Sequence, residues 1–135
     1  MKPYDSSLVS HLFLAKRENN PNRAHIIVNT RQAKHFPSDP VKSLENFETL
    51  ARKAAQDGRA EKPTVVIAFA ETATAIGAVV AGAFHDCFFV TTTREKLPDW
   101  ATAITFEESH SHAKKHYLCV RDENIFRRAA QVVLV

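Results

Sequence analysis

The sequence predicts an α/β fold with a mostly parallel sheet, and three observations support this class. Apolar segments of strand length alternate with segments whose apolar residues recur at helical spacing. Residues 64–70 are nearly all apolar, which is typical of a strand buried on both faces of a parallel sheet. Two short strand segments between residues 103 and 120 flank a polar stretch and predict an added hairpin.

The composition predicts one soluble, cytoplasmic domain. The 135 residues suffice for one hydrophobic core and are too few for two. The formal charge of +3 suits an anionic small molecule and is too small to indicate a nucleic-acid partner. No apolar run approaches the ~18 residues of a membrane span, so no membrane partner is expected. Cys87 and Cys119 lack metal-site spacing and are expected to be buried, reduced thiols.

The first half of the chain contains one clear strand and one clear helix. Residues 24–30 predict a strand, whereas the apolar run 8–15 is compatible with a helix or a strand. Asp39 is the expected N-cap of a helix that begins at Pro40 and is closed by Gly58. Seven apolar residues fall on one face of this helix and are expected in the core. They are Val41, Leu44, Phe47, Leu50, Ala51, Ala54 and Ala55.

The second half predicts several short elements. Residues 87–93 form an apolar strand, and residues 103–106 and 116–120 are further strand candidates. Asp122 is placed to cap a short helix with an apolar inner face. Residues 132–135 are entirely apolar and predict a buried strand.

The segment Thr64–Gly77 is the most informative for function. Its strand leads into the polar turn Glu71–Thr74 and then into an alanine-rich helix that is expected to reach about His85. Unpaired N–H groups and the positive helix end make such a turn a candidate anion site. Most such turns bind nothing, so a simple connection remains the alternative. Gly77 and Gly82 are expected to let the helix lie close to the sheet.

The polar segment FEESHSHAKKH, residues 106–116, allows three interpretations. His110 and His112 would share a face of an extended segment, and His112 and His116 a face of a helix, so two histidines and a carboxylate could hold a metal, although no third ligand has a fixed spacing. The segment could instead be a solvated surface loop, or a mobile loop that covers an anion. Arg94 is the best single anion-binding candidate, because it ends an apolar strand. The basic residues Arg31, Lys34 and His35 also follow a strand and are a further anion-binding candidate. The residues alone predict an anion-binding domain and no reaction.

Four segments resemble one family in the same order along the chain. They are ENNPNRAHIIVNTRQAKHFPSDP at 18–40, AFAETATAIG at 68–77, TTTRE at 91–95 and FEESHSHAKKH at 106–116. Together they resemble the orotate phosphoribosyltransferase-like proteins linked to tellurium-resistance gene clusters. The resemblance covers the chain from about Glu18 to Val135.

This resemblance implies a type I phosphoribosyltransferase fold with a hood hairpin. The implied partners are phosphoribosyl pyrophosphate, carrying Mg²⁺, and a nitrogenous base that gives or receives ribose 5-phosphate; a homodimer is compatible with the family. No catalytic residue and no protein-held metal is assigned. The implied pyrophosphate site comprises Ala70, Glu71, Thr72, Ala73, Thr74 and Arg94. The implied hood loop comprises Glu107, Glu108, Ser109, His110, Ser111 and His112.

One family feature is missing from the sequence. Residues 132–135 resemble the strand that precedes two acidic residues and a Thr-Gly loop for the ribose 5-phosphate, and neither acids nor loop follow. We therefore expect a single phosphoribosyltransferase-like domain, truncated before that loop and weak in binding phosphoribosyl pyrophosphate. The alternatives are a non-catalytic phosphate-binding or assembly module whose edge at 132–135 pairs with a partner, and a metal-dependent enzyme built on the histidines.

Overall fold

The computed structural model divides the chain into two compact units, Met1–Asn46 and Phe47–Val135. No helix in the described part of the chain is long and apolar enough to cross a membrane. The described residues are 10–16, 24–34, 37–107 and 115–135.

The first unit contains an antiparallel strand pair. Strand β1 (Leu12–Lys16) pairs with β2 (His25–Asn29), and Leu14 lies opposite Ile27. The predicted strand at residues 24–30 is therefore confirmed. The apolar run before it contributes a strand and not a helix, because its side chains alternate across a two-stranded ladder.

Helix α1 (Pro40–Ala54) begins where the sequence predicts. The Asp39 carboxylate accepts a hydrogen bond from the Val41 amide at 2.9 Å, so it caps the first turn. The helix ends at Ala54, and Gly58 adopts a left-handed φ of 73° four residues later. Gly58 therefore reverses the chain after the helix has already ended.

The apolar face of α1 is only partly in the core. Phe47 and Ala51, one turn apart, are buried and pack with the residues of the sheet. Val41, Leu44 and Leu50 are exposed, so their predicted burial is wrong. Helical spacing defines a stripe along the whole helix, whereas only one stretch of that stripe contacts the sheet.

The second unit is built on one five-stranded sheet in the order β5-β6-β4-β3-β7. Strands β4 and β7 run parallel to β3, which lies between them and is the central strand of this parallel part of the sheet; β6 runs antiparallel to both β4 and β5. Four of these five strands therefore point the same way, and β5 with β6 forms the predicted hairpin. The strands are β3 (Thr64–Ala68), β4 (Cys87–Thr93), β5 (Ala101–Glu107), β6 (Lys115–Val120) and β7 (Gln131–Leu134).

Two helices connect these strands. Helix α2 (Thr74–Ala81) joins β3 to β4 and is shorter than the predicted segment. Helix α3 (Asn124–Arg128) lies between β6 and β7. The Asp122 carboxylate accepts a hydrogen bond from the Asn124 amide at 2.9 Å, which confirms its predicted role at the start of this helix.

The sheet is covered on both faces at its centre. All five residues of β3 are buried, as the apolar sequence of this strand predicts. On the face that we call the helix face, Val66 packs with residues of α1 and α2. On the opposite face, Val65 and Ile67 pack with Leu118, Val120 and Ile125.

Strand β7 lies at the edge of the sheet, where its predicted burial is only half correct. It pairs with β3, and Val133 packs toward the helix face. Val132 is 52% exposed and Leu134 is 64% exposed. An apolar sequence therefore does not distinguish this edge strand from the central strand β3.

Gly77 brings α2 close to the sheet. A Cβ atom at this position would lie 2.5 Å from the Ala68 Cβ and 2.9 Å from the ring of Phe89. The prediction for Gly77 is therefore confirmed. The prediction for Gly82 is wrong, because an added Cβ there would meet only carbonyl oxygens of its own helix, the nearest at 3.4 Å.

Candidate functional site

The 70–74 turn lies at the carboxyl end of the central strand β3 and directly before α2. The Ala73 amide donates to the Phe69 carbonyl at 3.1 Å, and the Thr74 amide donates to the Glu71 carbonyl at 3.4 Å. The peptide bond between Ala70 and Glu71 is cis. The turn is thus a compact, hydrogen-bonded loop at the carboxyl ends of the parallel strands, where α/β proteins bind ligands.

Several hydrogen-bond donors of this turn have no partner within the described residues. The amides of Glu71 and Thr72 donate to no described group, and neither do the hydroxyls of Thr72 and Thr74. The residue before α2, Ala73, supplies no side-chain cap. Backbone donors therefore gather at the positive end of a helix, an arrangement that favours an anion.

One amide of the turn is held by the neighbouring strand. The Ala70 N–H donates to the Thr92 hydroxyl oxygen at 2.8 Å. The same oxygen lies 3.3 Å from Nδ1 of His116. Thr92 and His116 are 3% and 2% exposed, so the contact between them is shielded from water, whereas the bond to Ala70 is partly buried.

Four side chains form a row across the face of the sheet opposite the helix face; we call it the cross-sheet row. The His116 ring stacks on the Phe106 ring with centroids 4.9 Å apart and an interplanar angle of 4°. The Phe106 ring meets the Phe69 ring edge-on at 5.7 Å and 89°. With Thr92, the row spans β4, β6 and β5 and ends at Phe69, which immediately precedes the turn.

Arg94 follows the last residue of β4 and is half-buried. Ala68, the last residue of β3, pairs with Thr91, so β4 continues two residues farther, to Thr93, directly before Arg94. Arg94 also interacts within the protein. The structure thus places Arg94 and the turn at the same end of the parallel strands.

The predicted hood loop is described only at its first residue. Glu107 ends β5, is exposed and pairs across the hairpin with Lys115. Glu108, Ser109, His110, Ser111 and His112 lie outside the described residues.

The histidine-based metal hypothesis finds no support in the described residues. No group of three or more His, Cys, Asp or Glu side chains there is arranged to hold a metal ion. His116, which the hypothesis includes, is buried and lies beside the Thr92 hydroxyl.

A cavity of about 450 Å³ lies between β4 and β6, and no residue of the 70–74 turn lines it. Its wall is mainly apolar and includes Phe88 and Trp100. Two charged residues at its margin have partners: the Arg121 guanidinium lies 4.8 Å from the Trp100 ring centre, and Asp122 accepts a hydrogen bond from Asn124. Despite its volume, this cavity offers fewer hydrogen-bonding groups that could orient a ligand than the turn does.

Both cysteines are free, as the sequence predicts. Cys119 is buried, whereas Cys87 is only half-buried at the start of β4. Burial raises the pKa of the Cys87 thiol, and the nearby Asp86 charge adds to this effect against an opposing hydrogen bond with the Val66 backbone. A thiol held in its protonated form is a poor nucleophile.

Sequence reasoning did not single out Thr92, Phe69 or Phe106. Thr92 lies in the predicted strand CFFVTTT, where its hydroxyl is the available signal, since a polar side chain in an apolar strand needs a buried partner. That signal does not select Thr92 over Thr91 or Thr93, because the three are adjacent and only the fold distinguishes them.

Two solved structures share the fold. The adenine phosphoribosyl transferase of Trypanosoma brucei, in complex with AMP, pyrophosphate and ribose-5-phosphate, matches with a TM-score of 0.59 at 10% identity, over 96% of this chain and 52% of that chain. The Giardia lamblia APRTase, complexed with 9-deazaadenine, matches with a TM-score of 0.53 at 14% identity, over 84% of this chain and 57% of that chain. This chain thus spans just over half the length of each.

The sequence comparisons agree with this fold. No curated protein matches the sequence significantly. A family model described as phosphoribosyl transferase matches residues 12–135, nearly the whole chain. The predicted α/β class with a hood hairpin is confirmed as the type I phosphoribosyltransferase fold of the two solved structures. The chain belongs to the phosphoribosyl transferase family.

Proposed function

We propose that this protein handles phosphoribosyl pyrophosphate and a nitrogenous base, and that the 70–74 turn receives the pyrophosphate group. The observation that carries the proposal is the pair of adjacent amides, Glu71 and Thr72, without partners among the described residues at the start of α2. Backbone donors at a helix N-terminus suit phosphate oxygens, because they supply hydrogen bonds and a positive dipole end together.

The ligands of the two solved structures support this substrate class. The Trypanosoma brucei protein was solved with AMP, pyrophosphate and ribose-5-phosphate, and the Giardia lamblia protein with 9-deazaadenine. A nucleotide, a pyrophosphate and a sugar phosphate are the pieces that a phosphoribosyl transfer joins and separates. The family model that matches this chain is also described as phosphoribosyl transferase, so the same class of substrates is the first to test.

The proposed reaction places developing charge next to the turn. The bond between C1 of the ribose and a pyrophosphate oxygen breaks, a bond between C1 and a base nitrogen forms, and the proton of that nitrogen passes to the solvent. The departing pyrophosphate gains negative charge, which the Glu71 and Thr72 amides and the Thr72 and Thr74 hydroxyls would stabilise by hydrogen bonds. Arg94, at the same end of the parallel strands, would add a positive charge.

The predicted hood loop has a separate role in this proposal. Residues Glu107–His112 would close over the reacting centre and exclude water, which would otherwise compete with the base for C1. We assign no general acid or base, because no contact in the described residues identifies one at the turn.

Magnesium would enter with the substrate. The described residues contain no group of carboxylates, histidines or cysteines placed to hold a metal, whereas Mg²⁺ readily binds phosphate oxygens while keeping several waters. We therefore place the ion on the pyrophosphate oxygens and give it no protein ligand. There it would neutralise charge on the leaving group.

The sequence resembles an orotate phosphoribosyltransferase-like family without naming the acceptor base, and the two solved structures hold adenine-type ligands, so orotate and adenine both belong in an acceptor screen. We propose a cytoplasmic location, with which the two free cysteines are consistent. A homodimer and a link to tellurium resistance stay predictions.

Calorimetric titration of the 135-residue chain with pyrophosphate in MgCl₂ tests the proposal. We expect saturable binding with one site per chain, and weaker binding of orthophosphate, which fills fewer of the donors. A parallel titration with phosphoribosyl pyrophosphate measures what the sugar phosphate adds. If pyrophosphate gives neither heat nor a shift in melting temperature, the proposed site is wrong.

Arg94→Ala tests the cationic part of the site. We expect about a tenfold weaker binding of pyrophosphate, the usual effect of losing a hydrogen bond to a charged group. Arg127→Ala removes an exposed arginine of α3 and is the matched control. Equal affinity of the Arg94 variant and the control would exclude Arg94 from the site.

A second candidate function, an assembly module, is favoured by one observation. Strand β7 is an edge strand whose Val132 and Leu134 side chains are exposed, and such edges pair readily with other chains. Leu134→Lys should then abolish self-association or partner binding while leaving pyrophosphate binding unchanged. Sedimentation of the wild type and of the Leu134→Lys variant at matched concentrations shows whether β7 mediates self-association.

A further inference from the structure

We infer that Thr92 and His116 are positioning residues of the 70–74 turn, which fix its free amides without contacting the ligand. This inference rests on the proposed function, because it explains how the pyrophosphate site keeps its shape. Neither residue belongs to the turn, and both lie on the face of the sheet opposite the helix face. Three sets of contacts among the described residues connect them to the turn.

The first contact is the bond between the turn and β4. The Ala70 N–H donates to the Thr92 hydroxyl oxygen at 2.8 Å, and Thr92 is buried. Ala70 immediately precedes Glu71, whose amide is the first free donor of the turn. The bond therefore fixes the backbone where the free donors begin. Without the hydroxyl, the Ala70 amide would lose its partner in a partly buried site.

The second contact sets the direction of the hydroxyl hydrogen. The Thr92 oxygen already accepts from the Ala70 amide, so its single hydrogen points elsewhere. Nδ1 of His116 lies 3.3 Å away and can accept it. In this arrangement Nδ1 of His116 is the acceptor of the Thr92 hydroxyl hydrogen. His116 thus orients the hydroxyl so that its lone pair faces the Ala70 amide.

The third set of contacts supports the His116 ring. The ring stacks on Phe106 at 4.9 Å, and Phe106 lies directly opposite His116 in the β5-β6 ladder. Phe106 also meets the ring of Phe69, the residue before Ala70. His116 is 2% exposed and cannot reorient freely in this packing. The cross-sheet row therefore links Phe106 on β5 and His116 on β6, the two strands of the hairpin, to the start of the turn.

These contacts predict an effect on binding that exceeds the effect on stability. Loss of the Thr92 hydroxyl leaves the side-chain volume almost unchanged but releases the Ala70 amide. The turn can then rotate its peptide groups, and the free amides no longer point together at one anion. Affinity for pyrophosphate falls although no residue that contacts the ligand has changed.

The first experiment compares Thr92→Val with Thr92→Ser and with Thr102→Val. Thr102 is a half-buried strand threonine of β5 outside the cross-sheet row, and serves as the matched control. We measure hydrogen exchange of the Ala70 amide by NMR and titrate each protein with pyrophosphate in MgCl₂. We expect Thr92→Val to exchange this amide at least tenfold faster and to bind pyrophosphate about tenfold more weakly. Thr92→Ser should restore both values, and Thr102→Val should change neither.

The second experiment separates His116 from a purely structural role. His116→Phe keeps an aromatic ring on Phe106 but removes the Nδ1 acceptor, whereas His116→Asn retains a polar atom near the Nδ1 position. We expect faster Ala70 exchange and weaker pyrophosphate binding in the phenylalanine variant, even if its melting temperature equals that of the wild type. The asparagine variant should recover affinity despite its smaller side chain.

The possible outcomes distinguish this inference from the proposed function. If the wild type binds pyrophosphate and Thr92→Val binds it equally well, the positioning role is wrong and the proposed site stands. If the wild type does not bind pyrophosphate, both are wrong, whatever the exchange rates show. If the affinities fall only in proportion to melting temperature, in the control as well, the residues are structural and the inference is overturned.

Discussion

The two faces of the sheet support the 70–74 turn in different ways. On the helix face, the contact is steric: the backbone of Gly77 in α2 lies so close to Ala68 and Phe89 that no Cβ fits between them. On the opposite face, the contact is polar: the Ala70 amide donates to Thr92, which lies beside His116. One face therefore sets the distance between helix and sheet, and the other sets the direction of an amide.

This difference implies a division of labour. Close packing of α2 on β3 contributes to the free energy of unfolding, because it buries apolar atoms at van der Waals distance. The hydrogen bonds at Thr92 contribute less to that free energy, yet they determine where the free donors of the turn point. Substitutions on the helix face should thus change stability, and substitutions on the opposite face should change binding.

Gly77→Ala should have the largest effect on stability. Its added methyl group would lie 2.5 Å from the Ala68 Cβ, so helix or strand must move. We expect a loss of about 2 kcal/mol or more in the free energy of unfolding, measured by urea denaturation. Gly82→Ala is the matched control, because its nearest neighbour would be 3.4 Å away and its φ is −62°. An unchanged Gly77 variant would contradict the close contact.

Thr92→Val should have a smaller effect on stability, about 1 kcal/mol, because one hydrogen bond is lost and the packing volume is kept. Urea denaturation of this variant beside Gly77→Ala makes the comparison between the faces quantitative. We expect the opposite order in a pyrophosphate titration: after correction for the unfolded fraction, Thr92→Val should bind pyrophosphate more weakly than Gly77→Ala. The same order in both measurements would refute the division of labour.

The smallest effect concerns Cys87, at the other end of β4. Burial, followed by the Asp86 charge, raises the pKa of its thiol, so the folded protein keeps this proton to higher pH than the unfolded chain. Stability should therefore fall slightly as pH rises above the ordinary thiol pKa. Iodoacetamide at pH 8.5 should modify Cys87 more slowly in the folded protein than in urea, as measured by peptide mass spectrometry. Equal rates would contradict its protonated state.

Much of the fold follows from local sequence signals. The apolar run at 64–70 predicts the buried central strand, and Asp39 and Asp122 predict the starts of α1 and α3. The helix-start signals succeed because a capped helix end depends on neighbouring residues only, whereas the apolar run succeeds because β3 lies inside the sheet. The turn between β3 and α2 follows from the same segment.

The remaining features depend on contacts that are distant in sequence. Leu44 and Leu50 share the apolar spacing of Phe47 but are exposed, because helical periodicity does not specify how much of a helix meets the sheet. Thr92 and Ala70 are 22 residues apart, and Thr92 and His116 are 24 apart. No local pattern predicts that these three meet, since their meeting depends on strand order and register.

The central claim is that the 70–74 turn binds pyrophosphate through its backbone amides. The most direct measurement is an NMR titration of the ¹⁵N-labelled chain with pyrophosphate in MgCl₂, following the amides of Glu71 and Thr72. The account predicts large, saturable shifts of these two resonances, with small shifts at exposed sites such as Arg127. Shifts that spread over surface lysines and arginines, with none at Glu71 and Thr72, would contradict it.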